Sequence, residues 1–147
     1  MPERLTAAAR QAVTQAQSEA LALGAPSIEA EHLLLALAAG GDDGVASLAV
    51  HGLTHDRLLD LLEEERRRSL AHAAVDVPPS ALARTLPRRR LRLGTSTKAV
   101  MVRAVRGATR HRGISSRDLL RATVRAEAGT VPRLLALAGV SPDDLDA

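Results

Sequence analysis

Apolar positions recur at helical spacing along most of the chain. Leu5, Ala9, Ala12, Val13, Ala16, Ala20 and Leu23 follow one another at intervals of three and four, which predicts a first helix that Gly24 and Pro26 stop. Ser27 is the expected N-cap of a second helix. Its first turn holds Glu29 and Glu31, near the positive end of the helix dipole, and it turns Leu33, Leu34 and Leu37 inward. Gly40-Gly41-Asp42-Asp43-Gly44 breaks that helix. A short third helix through Leu48 ends near Gly52, and Thr54 opens a fourth that carries Leu58, Leu59, Leu61 and Leu62 into the charged run from Glu63 to Arg68.

The periodicity fades between Ser69 and Gly94, where Pro78, Pro79 and Pro87 interrupt the chain and Arg88-Arg89-Arg90-Leu91-Arg92 reads as an exposed linker. A second helical set follows. It starts with Ser96 to Arg110, continues with a capping box from Ser115 and Asp118, and ends in Ser141-Pro142-Asp143-Asp144, which supplies an N-cap, a proline at the first helical position and an acid at the third.

Laying one half over the other exposes a repeat. Ile28 to Leu34 falls on Ile114 to Leu120 at an offset of 86, and Leu48 to Leu53 falls on Leu135 to Val140 at 87, with the breaks between helices in matching order. The expected architecture is all-α: two four-helix repeats, residues 1–68 and 95–147, joined by a linker over 69–94. They are expected to pack as one compact domain, 1–147, about an approximate twofold axis. Neither half has enough apolar surface for a core of its own. Leu33, Leu34, Leu119 and Leu120 are the equivalent core positions of the two leucine helices.

Composition narrows what such a domain can do. The chain has no Phe, Tyr or Trp, so its core is aliphatic; with no Cys it has no disulfide, thiol nucleophile or thiolate metal ligand. No apolar run reaches membrane-spanning length and the N-terminus lacks a signal-peptide core, so a cytoplasmic protein without membrane attachment is expected, as a monomer. The sequence holds no GxSxG, HExxH or Walker sequence, and no catalytic residue, metal or cofactor is assigned.

Charge divides the chain. Residues 1–74 hold 6 arginines against 11 acids, and residues 75–147 hold 14 basic side chains against 6 acids. Arg88, Arg89, Arg90 and Arg92 are candidates for contact with an anion or an acidic partner, and Arg103, Arg106, Arg110 and Arg121 extend the positive charge. Nucleic-acid binding through this half is the alternative function. It is the weaker one, because no aromatic is present to stack on bases and no recognition motif is readable.

The densest chemistry lies in Ser27-Ile28-Glu29-Ala30-Glu31-His32-Leu33-Leu34. Two carboxylates and an imidazole within four residues cannot all converge on one face of a helix, although Glu29 and His32 share the i, i+3 spacing. His32 is therefore expected to be a packed histidine that hydrogen-bonds the adjacent repeat or loop. His51, His55, His72 and His111 are expected at the surface.

With Leu5-Thr6, Ala9-Arg10, Ala16-Gln17, Glu19-Ala20, Leu23-Gly24, Ile28, Glu31-His32-Leu33-Leu34-Leu35, Gly44-Val45-Ala46, Leu48 and Gly52 in that order, the chain resembles the double-repeat N-terminal domain of Clp/Hsp100 unfoldases, closest to the ClpC type. The likeness is strong in the first repeat and weak in the second. It implies a pseudo-twofold helical domain that recognises substrates and adaptor proteins of the Clp system. It also implies pockets for phosphorylated arginine or for the Clp-targeting cyclic peptides.

The threonine and glutamate of those pockets map to Thr6 and Glu31, expected to meet in a cleft between the start of the first helix and the start of the second. In the second repeat their positions fall at about Gly94 and at Arg117, so a family-style pocket is expected in the first repeat only. Glu31 would accept a guanidinium, while Thr6 and free helix amides would receive the phosphate. Arg117 would instead bind an anionic group or pair with Asp118. With the start at Met1 and the weak second repeat, a stand-alone adaptor, decoy or sequestering protein is expected.

Overall fold

Two short extended bridges tie the halves of an otherwise helical molecule: Leu5 lies parallel to Ile114, and Ile28 parallel to Leu93. The computed structural model describes residues 4–73, 90–108 and 112–146. Arg88, Arg89, Pro78, Pro79, Pro87, Arg110 and His111 lie outside the described residues. Eight α-helices are present among those described: α1 (Ala7–Ala22), α2 (Ala30–Gly40), α3 (Ala46–Val50), α4 (His55–His72), α5 (Thr95–Gly107), α6 (Ser116–Val124), α7 (Thr130–Ala138) and α8 (Pro142–Leu145). A 3-10 turn, Asp43–Val45, leads into α3.

The fold is all-α, and α2 is its axis. Six consecutive side chains, His32 to Leu37, are buried, because α2 is flanked by α1, α4, α5, α6 and α7 and has little face left for solvent. Leu35 is therefore as buried as Leu33 and Leu34, although the spacing places only Leu33, Leu34 and Leu37 inward. On α1 the stripe Ala9, Ala12, Ala16 and Ala20 lets the backbone of α1 approach α2 closely. In the second half α6 buries Leu119, Leu120 and Val124 fully. Leu33, Leu34, Leu119 and Leu120 all belong to one apolar cluster that draws on both halves.

Several boundaries depart from the sequence expectation, among them the end of α5 at Gly107, where the sequence continues the helix to Arg110. α2 starts at Ala30 with Glu29 at its N-cap, not at Ser27. The reason is the bridge: the Ile28 N–H donates to the Arg92 carbonyl at 2.9 Å and the Gly94 N–H donates to the Ile28 carbonyl at 2.8 Å, which holds Ile28 extended. At the other end, α4 continues past Arg68 to His72, so Ser69 to His72 are helical. Pairs one turn apart, Arg66 with Glu63 and both Arg67 and Arg68 with Glu64, support those last turns. Finally, Leu23 caps α1 and is exposed.

Candidate functional site

Each bridge brings the start of one helix against the start of another. Thr6 donates its N–H to the Ile114 carbonyl at 2.9 Å, which sets the start of α1 beside the start of α6. The Ile28 and Gly94 hydrogen bonds set the start of α5 beside the start of α2 in the same manner. Two junctions result, each built from both halves of the chain.

At the α1–α6 junction the polar groups satisfy their own helices. Thr6 is the N-cap of α1, its Oγ1 accepting from the Ala9 N–H at 3.2 Å. Ser115 caps α6: its hydroxyl accepts from the Asp118 N–H at 3.1 Å, and its N–H donates to the Asp118 carboxylate at 2.9 Å. Asp118 is thus the acid of the capping box, and Arg117 is exposed with no ion-pair partner among the described residues. Nearby, the buried Ser116 hydroxyl donates to Asp42, which also accepts from the Gly44 N–H at 3.2 Å. These two donors hold the Asp42 carboxyl below its ordinary range.

The α5–α2 junction is wired differently. The N-cap of α5 is Gly94, which has no side chain to offer. The Glu29 carboxylate crosses from α2 instead, accepting from the Ser96 N–H at 3.2 Å, from the Ser96 hydroxyl, and from the Ser27 hydroxyl at 2.7 Å. Ser96 Oγ accepts in turn from the Ala30 N–H at 2.8 Å, and Thr97, buried, donates its hydroxyl to the Ile28 carbonyl at 2.7 Å. Burial alone would raise the Glu29 pKa, but the two serine hydroxyls, the Ser96 N–H and nearby His32 bring it below the ordinary value.

His32 belongs to this junction through its neighbour's backbone. Its Nδ1 accepts the Glu29 N–H at 2.9 Å, which requires the tautomer with the proton on Nε2. Burial lowers its pKa against the opposing pull of Glu29 and Glu19. The bond is made within its own helix start, where the sequence expectation placed it on the adjacent repeat or loop.

Glu31, half-buried in the first turn of α2, is the least satisfied of these acids. No other residue donates a hydrogen bond to its carboxylate among the described residues. Burial raises its pKa, with repulsion from Glu29 and Glu65 added; its own backbone N–H and Arg133 oppose the rise without cancelling it.

Thr6 and Glu31 do not share a cleft. A groove of about 280 Å³ between α1 and α2 is lined by Ala8 and Gln11 from the start of α1, and by Ala39 and Gly40 from the end of α2. The two helices therefore run antiparallel, and Thr6 stands beside the far end of α2 from Glu31. At about 1.5 Å per residue, the ten residues from Glu31 to Gly40 span roughly 15 Å. The family resemblance, carried over position by position, implies that Thr6 and Glu31 meet, whereas the cross-half bridges pair Thr6 with the Arg117 end of α6 and Glu31 with the Gly94 end of α5.

Pairing that the sequence pattern missed accounts for several other charges. His55 is half-buried, its Nε2 2.9 Å from Oε1 of the buried Glu19, so it is not a free surface histidine. Arg133 on α7 pairs with Glu65 on α4 at 2.6 Å. Within the basic half, Arg103 donates to the Ala122 carbonyl at 2.9 Å, Arg121 pairs with Asp146, and Arg125 pairs with Asp143 and Asp146 at 2.7 Å each. Three arginines of the basic half, Arg121, Arg125 and Arg133, are thus paired with acids, while Arg90 and Arg92 are exposed.

The fold is thus an all-α arrangement in which capped helix starts meet in pairs across the two halves. The described residues hold no cluster of three or more groups able to bind a metal ion, and no helix among them is long and apolar enough to cross a membrane. The chain belongs to the Clp repeat (R) N-terminal domain family, which matches residues 4–110, most of the sequence. Among solved structures, the N-terminal domain of the caseinolytic protease associated chaperone ClpD from Arabidopsis thaliana has the same fold. The TM-score is 0.71 at 23% identity, covering 98% of this chain and 90% of that one. No curated protein matches it as a close relative in sequence.

Proposed function

We propose that this protein is a protein- or peptide-binding module of the Clp protease-chaperone system, a cytoplasmic adaptor, decoy or sequestering protein built from two four-helix repeats related by an approximate twofold axis. The observation that carries the reading is Glu31: a half-buried carboxylate at a helix start, in a Clp N-terminal domain, that receives no hydrogen bond from any other described residue. Such a group is ready to accept the paired N–H donors of a guanidinium. The arginine side chain of a bound segment is its natural counterpart.

Phosphoarginine, free or on a tagged protein, is the specific ligand of this reading, with a cyclic peptide as its mimic. Glu31 takes the guanidinium, and Thr6 with Arg117 forms a separate anion-accepting contact at the other junction. Because the two contacts are apart, an extended segment engages both more readily than one modified side chain does.

Calorimetric titration tests this. Free phosphoarginine and an arginine-containing peptide should each bind the wild type at millimolar concentration. Glu31→Ala should weaken both without unfolding the protein, and Thr6→Ala should weaken only ligands that carry a phosphate or carboxylate. Binding that is equal in the wild type and Glu31→Ala would remove Glu31 from the site. Capture of Clp components by the intact protein, read by mass spectrometry, tests the partner class.

A further inference from the structure

We infer that the second helix-start junction is closed from within: the Glu29 side chain is the resident anion at the N-terminus of α5, and Gly94 is the gap that admits it. The inference deepens the proposed function, since it rests on the reading that these junctions are where ligands are taken, and it fixes the number of junctions open to an anion at one, leaving Glu31 free to take a cation.

Three observations converge. First, the Glu29 carboxylate has what a bound anion would have at a helix start, namely the Ser96 N–H, the Ser96 hydroxyl and the Ser27 hydroxyl. Second, a Cβ at Gly94 would fall inside the Glu29 carboxylate, so any other residue at this N-cap would expel it. The backbone of Gly94 is ordinary, with φ −76°, so no strained conformation calls for glycine here. The missing side chain is what the position supplies. Third, the equivalent of Glu29 in the other half is Ser115, whose short side chain is spent on Asp118 of its own helix and leaves the start of α1 to Thr6.

The contact also explains an asymmetry of charge. Glu31 sits two residues from Glu29, so an anion entering the α5 junction would meet two carboxylates. At the α1 junction it would meet Arg117 and a hydroxyl. A ligand's negative group is therefore directed to the first junction by attraction and excluded from the second by occupancy.

The test follows amide resonances by NMR while inorganic phosphate is titrated into the wild type, Glu29→Ser and Glu29→Gln. Serine is a good N-cap and stands at the equivalent position in α6, so Glu29→Ser keeps the start of α2 while removing the plug. The Ser96 amide should not move in the wild type and should shift saturably at millimolar phosphate in Glu29→Ser. In Glu29→Gln, whose carboxamide oxygen still fills the gap, it should stay nearly still. A saturable Ser96 shift in the wild type, or none in a folded Glu29→Ser protein, would overturn the inference. Should wild-type residues near Glu31 and Thr6 ignore phosphoarginine, the proposed function fails while the Ser96 response still decides whether the junction is plugged.

Discussion

Arg133 on α7 donates through Nε to Oε1 of Glu65 on α4 at 2.6 Å, so a charge from the second half completes a nearly buried acid of the first. Ser69 donates to the same oxygen at 2.6 Å. Arg133→Ala leaves Glu65 with the serine alone. Because Arg133 is more than half exposed, the loss should be about 1–2 kcal/mol, below that of a fully buried pair. Urea unfolding of the single and double variants would measure the coupling between the two residues.

Leu34 is fully buried at the centre of the shared cluster. Leu34→Ala should cost roughly 2–5 kcal/mol, and unfolding should remain one cooperative transition because the cluster includes residues of both halves. Two separate calorimetric transitions would show instead that the halves unfold independently.

Gly94→Ala should destabilise although alanine is the better helix former, since its Cβ displaces Glu29 from the Ser96 N–H. An overpacking loss of about 1–3 kcal/mol is expected. Thermal unfolding of Gly94→Ala in wild-type and Glu29→Ser backgrounds separates the causes. In the second background most of the penalty should vanish.

Acid should act through His32. Its pKa is lower in the fold than in the unfolded chain, so the unfolded state binds more protons between the two values. Stability is then fully present above the unfolded value, about 6.5, and falls as pH drops through that value toward the folded one. Glu29, with its lowered pKa, adds a second loss below about 4.3, while Glu31, with its raised pKa, works in the opposite sense. Melting temperatures at pH 7.5 and pH 5.5 should differ less in His32→Gln than in the wild type.

Arg90 and Arg92 are exposed, so replacing both with Ser, together with Arg88 and Arg89, should leave the melting temperature nearly unchanged and remove at most weak, salt-sensitive DNA binding. Sequence-selective DNA binding that persists at physiological salt would favour the nucleic-acid function over the protein-binding one.

What could be read from the sequence is what is decided locally. The Ser115–Asp118 box and the Ser141-Pro142-Asp144 start both stand in the structure as spaced, because every atom involved lies within one turn. The leucines of α2 and α6 were equally legible from their period. Ser27 reads as a cap in the sequence because the residue that decides the matter, Leu93, lies far along the chain. The same holds for Glu19 with His55 and for Thr6, whose neighbours are set by Ile114. In the sequence Gly94 is only a missing threonine; the position of Glu29 gives its absent side chain a purpose.

The two bridges also bear on how the chain finds its fold. Ile28–Leu93 lies nested inside Leu5–Ile114, so the outer contact closes a long loop if it forms first and a much shorter effective one if the inner contact precedes it. The entropy of closure favours the inner contact first, with α2 and α5 docked before the N-terminus is secured. The start of α1 is then among the last parts of the molecule to settle and among the first to open. The junction left open to an anion is thus the one expected to close last, where binding has the most order to add.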